Sequence, residues 1–99
     1  MRILLKNTTD DGFKEVIVKN ELEALQNLGG GYIETVTLTT DCVGVCNEEG
    51  RMKGLPANCN YLGVDFVGPI LLAGVDGEDF TDYPWSVTMA NKGIAEAGR

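Results

Sequence analysis

The sequence predicts an α+β domain: a mixed, mostly antiparallel sheet of four or five strands, with one helix packed on a face and a second helix at the C-terminal end. Three observations point there. Ile3 and Leu5, then Val16 and Val18, alternate with polar neighbours at the two-residue period of a half-buried strand. Leu22, Leu25 and Leu28 recur instead at helical spacing. The stretch over residues 67–75 is continuously apolar between glycines, which suits a strand covered on both faces.

The elements follow in order. Asn7-Thr8-Thr9-Asp10-Asp11-Gly12 is made of turn residues and joins the first two strands into a hairpin. Asn20 with Glu23 three positions on is a capping-box variant, and Gly29-Gly30-Gly31 ends the leucine helix. Residues 32–38 are rich in β-branched and aromatic side chains. They pair with residues 42–46 across a Thr-Thr-Asp turn. Asn47-Glu48-Glu49-Gly50 is a further turn, anchored by Asn47 bonding its own backbone. Pro56 denies a ladder bond, so residues 54–63 are expected as an ordered loop rather than a strand. Pro69 is expected at the beginning of the apolar strand or at a bulge. Asp82 is expected to cap the last helix with Pro84 in its first turn, packed through Trp85, Val87, Met89 and Ile94 and fraying beyond Gly93.

With 99 residues, 43% of them apolar, the chain can bury one core, which predicts a single domain over residues 1–99. It lacks histidine, which removes His-dependent triads and the commonest general base. An enzyme is therefore the least expected class. The start of the chain has only a short apolar stretch and no pattern of a signal peptide or membrane span. The expected location is the cytoplasm, with Cys42, Cys46 and Cys59 reduced. On a strand Cys42 and Cys46 would face one way about 13 Å apart, too far to share a metal or a disulfide. Neither a metal nor a cofactor is expected.

The formal charge is −7 and unevenly placed, since no Lys or Arg stands between Lys53 and Lys92. Asp65, Asp76, Glu78, Asp79 and Asp82 all fall in that interval. Direct nucleic-acid binding is excluded as an expectation, because such affinity comes largely from cations on phosphates. The same five carboxylates are the expected partner-binding face. The glycines at residues 29–31 follow a helix rather than precede one, which reads as a C-cap and not a phosphate cradle. Glu48 and Glu49 are adjacent and would face opposite ways on a strand, which argues against a catalytic pair.

Gly30-Gly31-Tyr32-Ile33-Glu34, Cys46-Asn47-Glu48-Glu49-Gly50, Gly54-Leu55-Pro56-Ala57-Asn58 and Gly68-Pro69-Ile70, in that order, resemble a domain-of-unknown-function family of phages, plasmids and conjugative elements. The resemblance covers most of residues 1–80. It implies a mobile-element context in a bacterial host, and a role for Asn47, Glu48, Glu49, Pro56 and Asn58. Cys59 stands where the pattern has a basic residue, which weighs against anion binding by that loop.

Three roles are expected. The first is an inhibitor of a host defence protein such as a nuclease, of anti-CRISPR or anti-restriction type, acting through the acidic face. The second is a module for a small nucleotide-like ligand, with the loop from Leu55 to Asp65 and the rings of Tyr61, Phe66 and Tyr32 as its walls and Asn47 and Asn58 nearby. The third is an accessory protein that forms a homodimer.

Overall fold

The computed structural model describes residues 1–19 and 22–95. The chain runs β1 (Arg2–Lys6), β2 (Lys14–Ile17), α1 (Leu22–Gly29), β3 (Ile33–Thr37), β4 (Cys42–Asn47), β5 (Ala57–Tyr61), β6 (Val64–Val67), β7 (Ile70–Asp76), β8 (Asp79–Thr81) and α2 (Val87–Asn91). The fold is α+β. Its sheet has six strands, in the order β2-β1-β7-β4-β3 with β8 also paired to β7, and β5 and β6 form a separate two-stranded sheet. Among the described residues every ladder is antiparallel, and no parallel pair mixes the sheet.

Strand β7 is the centre of the sheet, and its residues 70–74 are buried throughout. Its length explains the eighth strand. β1 pairs with residues 70–72, β8 with residues 74–76, and Asp41 occupies the opposite edge beside Val75. β8 therefore continues the line of β1, and Tyr83 N–H donates to the Arg2 carbonyl at 2.8 Å where the two meet.

Two cores lie on opposite faces of this sheet. Ile3, Leu5, Val43, Val45, Leu71 and Ala73 face α1 through Leu25. Leu4, Cys42, Cys46, Ile70 and Leu72 face the β5–β6 hairpin and α2 through Phe66, Tyr61 and Ala90. The alternation along β1, β4 and β7 is thus apolar on both sides, the pattern of a covered sheet. Gly44 lets the second layer approach: a Cβ there would stand 3.0 Å from Phe66 Cζ.

Two sequence expectations are corrected. Residues 54–63 are not a loop throughout, because Ala57–Tyr61 pairs with Val64–Val67. Pro56 stands just before the strand, and its carbonyl accepts from Gly68 N–H at 2.8 Å. Leu62 (φ 49°) and Gly63 (φ 88°) close that hairpin with the two positive φ angles of a type I′ turn. Asp76 and residues 79–81 lie in the sheet as well: Asp76 pairs with Asp79 around the turn of Gly77 (φ 64°) and Glu78. Finally, Ser86 and not Asp82 caps the last helix, its hydroxyl accepting from Met89 N–H at 3.1 Å. The expected Asn20 cap and the fraying tail beyond residue 95 lie outside the described residues.

Candidate functional site

The five acidic residues expected to share a face do not stay together. Asp76, Glu78 and Asp79 form the exposed tip of the β7–β8 hairpin, and Asp41 stands beside it, its carbonyl accepting from Val75 N–H at 3.0 Å. Asp82 is held elsewhere: its Oδ1 accepts from the Arg2 amide at 2.7 Å. Asp65, on β6, accepts from Asn60 Nδ2 at 2.9 Å and lines a different cleft. The structure thus divides the carboxylates into an acidic sheet end and a separate acidic cleft.

That cleft, of about 210 Å³, opens where the main sheet meets the β5–β6 hairpin. Glu34, Glu48 and Asp65 supply its carboxylates, Val36 and Val64 its apolar walls, and Arg51 its one cation. Arg51 is pinned by donating to the Asp65 carbonyl at 2.9 Å. Cys46 Sγ lies 3.7 Å from Glu34 Oε1 and donates to it. Burial, and then the Glu34 carboxylate, push the Cys46 thiol up to about 11. Cys42 and Cys59 are raised as well, chiefly by burial. All three thiols are free and stay protonated near neutrality. Among the described residues no group of three His, Cys, Asp or Glu side chains is arranged to hold a metal.

The polar residues singled out beside the acids are engaged within the fold. Asn47 is buried, donates through Nδ2 to the carbonyls of Gly29 and Gly30 at 3.2 Å each, and accepts from Glu49 N–H at 2.8 Å. It fastens the last turn of α1 to the end of β4, where helix carbonyls lack partners of their own. Asn58 donates to the carbonyls of Lys6 and Gly68 and accepts from the buried Lys6 ammonium at 2.8 Å. The Tyr61 hydroxyl donates to Ala90 O at 2.8 Å, and its ring meets Phe13 edge-on with centroids 5.2 Å apart. Burial holds this phenol well above its ordinary range.

Glu48 and Glu49 turn to different sides, as their adjacency predicts. Glu48 lines the acidic cleft, and Glu49, paired with Lys53 at 3.4 Å, lines another together with the exposed Tyr32. Sequence reasoning passed over Arg2, whose guanidinium joins Glu15 at 2.6 Å and the carbonyls of Tyr83 and Trp85 at 2.8 and 2.9 Å. It also passed over Glu34 and Arg51. Each of these depends on partners distant in sequence, and an isolated charge in a strand or turn carries no local signal of them.

An apolar pocket of about 260 Å³ lies on the α2 side, walled by Tyr61, Tyr83 and Trp85 with Leu62 and Met89 at its mouth. Among the described residues no helix is long and apolar enough to cross a membrane.

Residues 1–91 match the family model described as Domain of unknown function (DUF3846). No curated protein and no solved structure matches the chain.

Proposed function

The chain belongs to the DUF3846 family, and from that premise we propose a small, non-enzymatic binding protein of a phage or other mobile element. It inhibits a host defence enzyme in the bacterial cytoplasm by engaging it through the acidic end of the sheet. The observation that carries this reading is the placement of Asp76 directly opposite Asp79 on one ladder, with Glu78 in the turn between them and Asp41 alongside. Like charges facing across a ladder destabilise it. A tip built this way works against its own fold, and a basic partner surface offsets that repulsion on binding.

The proposal rests on Asp41, Asp76, Glu78 and Asp79 rather than on the five residues first grouped by sequence. Asp82 is bound to the Arg2 amide and Asp65 belongs to the cleft. The reading as a module for a nucleotide-like ligand has less support, because Asn47, Asn58 and Tyr61 turn their polar groups inward. The test is capture from a host lysate by immobilised wild-type protein beside the Asp76→Asn/Glu78→Gln/Asp79→Asn variant. A defence protein retained by the first and lost by the second is expected; equal retention by both rejects the acidic end.

A further inference from the structure

We infer that the free edge of β3 is a docking strand for an extended, basic segment of a partner protein, whose Lys or Arg side chains enter the cleft between Glu34, Glu48 and Asp65. Tyr32 O accepts from Glu48 N–H at 2.9 Å, and Leu38 N–H donates to Cys42 O at 3.2 Å. With the register of β3 on β4, these bonds fix the even-numbered residues as the ones that face β4. The amides and carbonyls of Ile33, Thr35 and Thr37 therefore point outward. β3 is the last strand in the sheet order, and among the described residues no strand pairs with that edge. An unpaired row of donors and acceptors is a template for one more strand.

The side chains beside this edge decide what strand fits. Glu34 and Val36 point into the acidic cleft, and Thr35 and Thr37 line a groove of about 490 Å³ on the opposite face. A strand added to β3 places alternate side chains over each, with directly opposed Cβ atoms about 4.5–5.5 Å apart. The residue opposite Glu34 then lies over three carboxylates, one guanidinium and the apolar walls of Val36 and Val64. This lining suits a long aliphatic stem ending in a cation. A second copy of the chain is a poor occupant, since it would bring another −7 charge and a second acidic cleft to the same edge.

The acidic cleft shares no residue with the β7–β8 tip, whereas Gly77 and Glu78 of the tip also line the groove on the opposite face; strand pairing at this edge does not depend on that reading. The probe is a short, capped, fluorescein-labelled peptide of alternating Lys and Thr, followed by anisotropy, with hydrogen exchange measured on the full chain. Saturable binding is expected, weakened about tenfold or more by N-methylation of alternate peptide amides, which keeps the charge and removes strand pairing. The amides of Ile33, Thr35 and Thr37 should exchange at least about tenfold more slowly in the complex. Thr35→Pro removes an outward N–H without breaking a bond to β4, and should weaken binding similarly. If that variant does not fold, the methylated peptide and the exchange rates decide. Glu34→Gln with Asp65→Asn should weaken binding, whereas Asp76→Asn with Asp79→Asn should change it less than about twofold. The inference is overturned by absence of saturable binding, by equal affinity for the methylated peptide, or by unchanged exchange at those three amides. It is also overturned if the edge becomes protected without peptide as protein concentration rises, which would assign the edge to a second copy.

Discussion

Asp76 stands directly across the β7–β8 ladder from Asp79, two carboxylates at the tip of a hairpin whose turn adds Glu78. Neutralising one member, as Asp79→Asn, removes the repulsion and leaves the ladder bonds in place. The variant should be more stable than wild type by about 0.5 kcal/mol or less in urea unfolding at low salt, and the gain should shrink as salt screens the pair. Asp82→Asn should behave differently, because its carboxylate accepts a bond from Arg2 and a gain there has no source.

Asn47 predicts the opposite sign. Asn47→Ala leaves two helix-end carbonyls and the Glu49 amide without their partner, and it should cost roughly 2–3 kcal/mol in denaturant unfolding. A ligand-binding role alone would leave stability within about 0.5 kcal/mol of wild type, as for a surface substitution.

Leu62 holds a positive φ that side chains with a Cβ seldom adopt, at the first central position of a type I′ turn. Leu62→Asn should stabilise the hairpin by about 0.5–1 kcal/mol, since asparagine tolerates that conformation. Gly63→Ala should destabilise it by a similar amount. Thermal unfolding of the two variants checks both signs.

The Cys46 thiol gives a pH signature. Its folded pKa is raised from 9.0 to about 11, so the folded state holds the proton more tightly than the unfolded chain. The contribution to stability is complete below about 9 and is lost as pH climbs through about 11. Cys46→Val should flatten part of the decline in stability that wild type shows across that window. An identical slope in the two proteins would show that the thiol does not titrate as its burial requires.

Much of the fold was legible where the signal is local. The alternation that pairs Ile3 with Val16, the glycines that close α1 and the β-branched run of β3 all act within a few residues. The misses share a physical cause. β5 is hidden because Pro56, which stands just before it, argues against a strand across residues 54–63, and because its turn uses Leu62, which carries no turn signature. Asp82 was read as a cap because its true partner, the Arg2 amide, lies at the other end of the chain. The site divides in the same way. The bond from Glu49 to Asn47 follows from sequence, but the bonds from Asn47 to Gly29 and Gly30 require the fold. The acidic interval after Lys53 was visible as composition. Only the topology separates Asp65 from Asp76, Glu78 and Asp79.

The central claim, that the acidic sheet end is the binding surface, is tested most directly by association kinetics of the captured host protein with wild type and with the Asp76→Asn/Glu78→Gln/Asp79→Asn variant. Charge steering predicts a wild-type on-rate that falls about tenfold or more from low to physiological ionic strength, and a slow variant on-rate with little dependence on salt. A folded variant that associates as fast as wild type, with both on-rates indifferent to salt, would contradict the account.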